Sequence, residues 1–320
     1  MELTARQQLL VRINGKYVSN PKDKELDAAL KRLADALIAS LHGPHPEGGV
    51  LAVIGDSGAG KTWMLERALQ DSHVIQSMGL LKMIMPSPCT PGNFAREILR
   101  LLDFEVMQDR VMDYRLWNLA RKHAELSSIR FIWADEEQHS SVKQDERKRL
   151  SDSIKNFVQQ RHWPVSFILS GVAELRTFMG DFRQLERRSR TIDLAPLSSP
   201  EDHDLFDGLF QGLVHSAAGM SVSPGVATDD FRARIIHASD GQFGSVIESV
   251  RAAIMEAHDH GRGTVEIADF AAQYAGQRGC LPEQNVFLVP RWQEVVPANS
   301  RRRADLPAPD DDNNAKGKAR

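Results

Sequence analysis

The chain has 320 residues, enough for one large α/β domain, a smaller one and a tail, because single cores rarely grow beyond about 250 residues. Hydrophobic residues make up 42% and charged residues 26%, and no window approaches the roughly 20 apolar residues of a membrane helix, which argues against a transmembrane role. The formal net charge of −3 means that any affinity for nucleic acid must come from local basic patches or repeated subunits.

Met1 to Arg12 mix charged and apolar residues without the pattern of a signal peptide, so the expected location is the cytoplasm. Cys89 and Cys280 are the two cysteines; they form neither a disulfide framework nor a four-ligand zinc site and read as free thiols. Leu26, Leu30, Leu33, Leu37 and Leu41 follow the helical period and predict an amphipathic helix over 23–42. Gly48-Gly49 then leads into Val50-Leu51-Ala52-Val53-Ile54, a buried strand. Similar apolar runs recur at Leu80–Met85, Ile129–Trp133, Val165–Leu169 and Thr191–Leu194. Helical patterns separate them. Thr90-Pro91 caps one, with Phe94, Ile98, Leu101 and Leu102 on its face; another carries Leu150, Ile154, Phe157 and Val158.

Strands alternating with helices predict an α/β fold with a parallel sheet covered on both faces and ligands at the carboxyl ends of the strands. After Pro196 the strand-like runs stop, and helices are expected, among them 230–238 and 243–258. From Cys280 onward, prolines, Asp310-Asp311-Asp312 and a basic terminus offer little apolar material to offset ordering entropy. The expected divisions are an N-terminal segment with its amphipathic helix (1–49), an α/β nucleotide-binding domain (50–198), a small helical lid (199–279) and a mostly disordered tail (280–320).

Gly55-Asp56-Ser57-Gly58-Ala59-Gly60-Lys61-Thr62 matches the P-loop pattern in its required setting, after a strand and before a helix. The glycines let backbone amides turn toward phosphate oxygens, the helix N-terminus adds partial positive charge, and Lys61 supplies a point charge for the β and γ phosphates. Thr62 is the expected magnesium ligand. Asp135 and Glu136 end a later strand, the first suited to magnesium and the second to polarising the attacking water. The cofactors implied are ATP and Mg²⁺, and the reaction is ATP hydrolysis. Ser170, at the end of the next strand, is placed to bond the γ-phosphate or the water. Arg187 and Arg188 precede the last strand, where an arginine can reach a neighbouring subunit's ATP; a solvated basic turn is the plainer reading. Lys143, Arg147, Lys148 and Arg149, with Arg301-Arg302-Arg303 and Lys316–Arg320, are basic runs that either touch DNA or simply face solvent. His139 and the other histidines lack metal-ligand spacing.

With these residues in place, the chain resembles the TniB/TnsC family of AAA+ ATPases, which accompany transposases and select or mark target DNA. The resemblance runs from about residue 10 to 275 and rests on Ile13-Asn14-Gly15-Lys16-Tyr17-Val18, Gly55-Asp56-Ser57-Gly58, Asp135-Glu136 with His139, Ser170-Gly171-Val172-Ala173-Glu174-Leu175 and Gln184-Leu185-Glu186-Arg187-Arg188. It implies an AAA+ P-loop NTPase domain with a helical lid, ATP-dependent homo-oligomerisation as a ring or helical filament on double-stranded DNA, recruitment of a transposase, and hydrolysis that resets the complex. A target-selection protein or guide-RNA complex would be a further partner of such a protein. Two positions depart from the family pattern: Ser189 stands where an aromatic residue usually follows the paired arginines, and Ser245 where the lid usually offers a sensor arginine. The second departure implies slow turnover, suited to a switch. Alternative readings are a helicase loader or initiator of the same fold, and a P-loop signalling scaffold that does not bind DNA.

Overall fold

The computed structural model describes residues 2–108, 110–135, 144–180 and 188–297. The first helix, α1 (Ala5–Gly15), opens with a capping box in which Thr4 and Gln7 exchange side-chain and backbone hydrogen bonds. α2 (Asp23–Leu41) is the expected amphipathic helix, with Leu26, Leu30, Leu33 and Leu37 buried along one face. β1 (Val50–Gly55), α3 (Lys61–Asp71), the short α4 (His73–Ser77) and β2 (Leu80–Ile84) follow. α5 (Pro91–Leu101) begins at the expected cap: the Thr90 hydroxyl accepts the Asn93 N–H at 3.2 Å and Pro91 takes the first helical position. Next come α6 (Asp113–Leu126), β3 (Phe131–Asp135), α7 (Gln144–Val158), β4 (Ser166–Gly171), α8 (Glu174–Gly180) and β5 (Ser189–Leu194).

The five strands form one parallel sheet in the order β2-β3-β4-β1-β5. Alternation along the strands sorts the core into two layers. Leu51, Val53, Phe131, Trp133, Ile168 and Ile192 meet α2 and α3 on one face. Val50, Ala52, Ile132, Ala134, Phe167 and Leu169 meet the helices of the other, where Phe94 stacks on Trp117 at 5.6 Å and Phe157 packs edge-on against Phe167 at 5.7 Å. Burying each of these large side chains contributes about 1.5–3 kcal/mol. β1 lies between β4 and β5 and is buried along its whole length. Chain order reverses around it, with β2 to β4 on one side and β5 on the other, which opens a crevice at the carboxyl ends of the strands.

The chain divides into two compact units. The sheet unit holds Ser19–Pro196 together with Gln242–Gly244. The helical unit holds the residues up to Val18, Leu197–Gly241 and those from Ser245 on. It contains α9 (Leu205–Phe210), which continues as a π-helix over Gln211–Ala218, then β6 (Ser221–Val222), α10 (Asp229–Ala238), most of α11 (Phe243–Asp259), β7 (Thr264–Val265) and α12 (Ile267–Arg278). β6 and β7 form a two-residue parallel pair that the apolar pattern did not signal.

The segment 1–49 is shared between the units. α1 buries Leu9 and Ile13 among Phe206, Leu213, Val250 and their neighbours, and the Arg251 guanidinium donates to the Lys16 carbonyl at 3.1 Å. α2 instead packs on the sheet. Residues 280–297, read from the sequence as the start of a disordered tail, are packed: Val286, Phe287 and Trp292 are buried in the helical unit's core. One face of α10 holds them. Arg234 donates to the carbonyls of Val286 and Val289, both at 2.8 Å, and Asp230 accepts the Trp292 indole N–H at 3.1 Å. Three apolar anchors and satisfied carbonyls thus offset an ordering cost that composition alone left unmet. The runs Arg301-Arg302-Arg303, Asp310-Asp311-Asp312 and Lys316–Arg320 lie outside the described residues. Among the described residues no helix is long and apolar enough to cross a membrane.

Candidate nucleotide site

β1 ends at Gly55 and α3 begins at Lys61, so residues 55–62 form the expected loop between a buried strand and a helix N-terminus. Gly58 and Gly60 have φ of 81° and 89°, where an L side chain is strained, and Gly60 is the N-cap residue just before α3. Gly55 is required for a different reason: an added Cβ would lie 3.0 Å from the Cβ atoms of both Ala59 and Leu194. The Lys61 side chain is buried, and its ammonium donates to the carbonyls of Gly55 at 2.8 Å and Asp56 at 3.0 Å. It is therefore held over the loop by backbone atoms.

Thr62 follows in the first turn of α3, and its hydroxyl donates to Oδ2 of Asp135 at 2.7 Å. Asp135 is the last residue of β3, two strands away from β1 in the sheet. The other carboxylate oxygen, Oδ1, accepts the Ser170 hydroxyl at 2.5 Å, and Ser170 Oγ accepts the Trp133 indole N–H at 3.0 Å. In this arrangement Ser170 has no hydrogen left to offer a phosphate oxygen, since a hydroxyl carries one. A loop whose glycines leave room for a phosphate, a lysine above it, and a hydroxyl and carboxylate side by side fit a nucleoside triphosphate with magnesium. The donor set is all oxygen, as magnesium requires, and magnesium in such sites completes its shell with phosphate and water.

Glu136 and Arg187 lie outside the described residues, as do His139, Lys143 and Gln184–Glu186. Arg188 is described. It immediately precedes β5, and the register of β5 on β1 sets it beside Gly49, about 20 Å from the phosphate loop at ~3.3 Å per residue. Its guanidinium pairs with Glu47 at 3.0 Å, and its carbonyl lies 2.9 Å from where a Cβ on Gly49 would stand. At that distance Arg188 does not reach phosphates held by the loop of the same chain. Arg149, one of the basic run on α7, pairs with Asp113 at 2.8 Å.

Two residues next to the loop belong to no motif that would mark them in the sequence. The Gln242 amide donates to Oδ2 of Asp56 at 3.4 Å, and Gly244 approaches the loop so closely that a Cβ there would lie 2.6 Å from the Gly58 carbonyl oxygen. The family pattern drew attention to this stretch, but to Ser245. Trp133 likewise reads in the sequence as a core residue, and only its position two before Asp135, on the same strand face, points to more.

Residues 45–179 match the family model of an AAA domain. The fold is that of an AAA+ P-loop NTPase. Among solved structures, the chain is similar to Cdc6p from Pyrobaculum aerophilum, with 15% identity over 85% of this chain and 72% of that one and a TM-score of 0.57. It is similar to Orc1 from Aeropyrum pernix in complex with DNA, at 17% identity, 87% and 70% coverage and a TM-score of 0.53. It is also similar to Drosophila ORC bound to DNA, at 12% identity, 89% and 70% coverage and a TM-score of 0.57. At these identities the likeness is one of fold. No curated protein matches the sequence. The AAA+ fold brings with it a nucleotide-binding P-loop, and here the residues of that loop are all in place.

Proposed function

We propose that this protein is a nucleotide-gated regulator of DNA transposition of the TniB/TnsC kind, which assembles on target double-stranded DNA with ATP, recruits a transposase and resets by hydrolysis. The observation that carries the nucleotide switch is the hydrogen bond between Thr62 and Asp135, which ties the phosphate-binding helix to the acidic strand end. The transposition part rests on the sequence resemblance, from Ile13–Val18 through Gln184–Arg188.

In this reading Gly55–Thr62 hold the phosphates, with the Lys61 ammonium transferring from loop carbonyls to phosphate oxygens. Thr62 and Asp135 would hold magnesium, which supplies charge neutralisation at the β and γ phosphates. Glu136, the residue after β3, accepts a proton from the attacking water. Arg188, with Arg187 as the alternative, serves the ATP of a neighbouring subunit, in keeping with its distance from its own loop. Turnover is slow, because Ser245 takes the place of a sensor arginine. The proteins named in two similar structures were bound to DNA, which is in keeping with DNA as a partner.

A second reading is an initiator or helicase loader, favoured by the likeness to Cdc6p and Orc1 over 85% and 87% of the chain. The deciding experiment measures binding to fluescently labelled double-stranded DNA, and oligomer size, with no nucleotide, ADP, ATP or a non-hydrolysable analogue. Length-dependent binding and large assemblies only with ATP or the analogue, followed by capture of a transposase, support the first reading. Capture of a replicative helicase supports the second. Assembly without DNA binding overturns both and leaves a scaffold.

A further inference from the structure

Asp135 is gripped at both carboxylate oxygens, and the grip on Oδ1 comes from a short chain of side chains inside the sheet. The Trp133 indole donates to Ser170 at 3.0 Å, and Ser170 donates to Asp135 Oδ1 at 2.5 Å. Trp133, Ser170 and Asp135 are 2%, 1% and 3% exposed, so water does not replace these bonds. Their order follows from sheet geometry. Parallel pairing of β3 with β4 sets Asp135 opposite Ser170, and the two-residue period returns Trp133 to the same face. The direction is fixed by chemistry: an indole N–H can only donate, so Ser170 must accept there and spend its one hydrogen on Asp135. Over the face of the indole, the Lys82 ammonium lies 4.5 Å from the ring centroid, and Lys82 is the register partner of Trp133 on β2.

From this arrangement we infer that Ser170 and Trp133 are positioning residues for the magnesium ligand Asp135. Trp133 fixes the hydroxyl of Ser170; that hydroxyl holds Oδ1 and leaves Oδ2 presented toward Thr62 and the metal. Ser170 thereby sets metal affinity, in contrast to the bond to the γ-phosphate or the water expected from its place at a strand end. The indole of Trp133 also becomes a built-in reporter, two hydrogen bonds from the metal-facing carboxylate. The inference rests on the proposed role of Asp135 as a magnesium ligand.

The test uses the full chain and a fluorescent non-hydrolysable ATP analogue, titrated with Mg²⁺ and, separately, with EDTA present. Ser170→Ala should raise the Mg²⁺ midpoint about 10-fold, the usual loss when a group that orients a metal ligand is removed. Affinity in EDTA should be unchanged. Trp133→Phe keeps an aromatic ring and loses only the indole and its N–H; it should raise the midpoint about 3-fold, the worth of one hydrogen bond. Subtracting its emission from that of wild type should isolate a Trp133 signal that responds to Mg²⁺ in wild type and is insensitive in Ser170→Ala. If Ser170→Ala fails to fold, Trp133→Phe carries the test alone, and a wild-type midpoint there overturns the inference. A wild-type midpoint in Ser170→Ala overturns it too, as does a loss of analogue affinity in EDTA as large as in Mg²⁺, which would mark a phosphate contact. Asp135→Asn separates the two levels: if it leaves the midpoint unmoved, the metal-ligand role itself falls; if it raises the midpoint while Ser170→Ala does not, only the positioning role falls.

Discussion

Thr62 and Asp135, 73 residues apart in sequence, share a hydrogen bond of 2.7 Å across the mouth of the sheet. It sets one hydroxyl beside one carboxylate, oxygen donors of the kind a hard cation takes, near a lysine held by carbonyls of the loop. Thr62→Val, which keeps the shape and removes the hydroxyl, should lower Mg²⁺-dependent ATP hydrolysis at least about 10-fold. Lys61→Ala should abolish nucleotide binding and assembly altogether. Equilibrium binding of a fluorescent nucleotide, with and without Mg²⁺, separates the two effects.

Glu136→Gln should bind ATP like wild type, hydrolyse it at least about 100-fold more slowly, as expected for loss of a general base, and accumulate the assembled state. Hydrolysis and particle size measured on the same sample check this. A wild-type rate would remove Glu136 from its role.

A glycine in a helix ordinarily gives way to alanine with a gain of about 0.5–1 kcal/mol. At Gly244 the sign should reverse, because the new Cβ would stand 2.6 Å from the Gly58 carbonyl oxygen, inside contact distance of backbone that shapes the phosphate loop. Gly244→Ala should destabilise by about 1–3 kcal/mol, the usual cost of overpacking, and weaken nucleotide binding. Thermal unfolding with and without ATP reads both; a stabilised variant would show that the contact is not kept in solution.

Arg188 sits some 20 Å from its own phosphate loop, by strand length at ~3.3 Å per residue, and is paired with Glu47. Arg188→Ala should leave ATP binding by the monomer intact and reduce turnover about 10³-fold in the assembled state if it is the residue acting between subunits. Arg187→Ala is the parallel variant. Two variants with normal turnover would remove the intersubunit arginine from the mechanism.

In the helical unit, the hydrogen bond from Arg234 holds the Asp230 carboxyl below the usual aspartate range, aided by the Trp292 indole and the nearby charge, against a smaller opposing effect of burial. A lowered folded-state value means the unfolded chain binds the proton more readily. The stabilisation is therefore complete above the ordinary aspartate value of about 3.9 and is lost as pH falls through the lower folded value. Proteolysis between Cys280 and Pro297 should accelerate below about pH 4 in wild type, while Asp230→Asn should show raised cleavage already at pH 7 and a flatter profile. An unchanged profile in the variant would rule out this anchor.

Elements that depend on neighbours along the chain are legible without any tertiary contact. The P-loop was legible because glycine, lysine and threonine at fixed spacing, after an apolar run and before a helix, leave few other uses for that pattern. The cap at Thr90-Pro91 and the buried face Leu150, Ile154, Phe157 and Val158 were legible for the same reason: period and capping are local physics. Register was not. Nothing local says that Asp135 faces Ser170, that Trp133 feeds the same carboxylate, or that Gly49 lies against Arg188, because these follow from which strands pair and by how many residues they are offset. Packing between distant segments was equally hidden: α1 and residues 280–297 gain their order from apolar contacts and from the Arg234 and Arg251 side chains, which donate to their backbone carbonyls, so composition alone understates how firmly they are held.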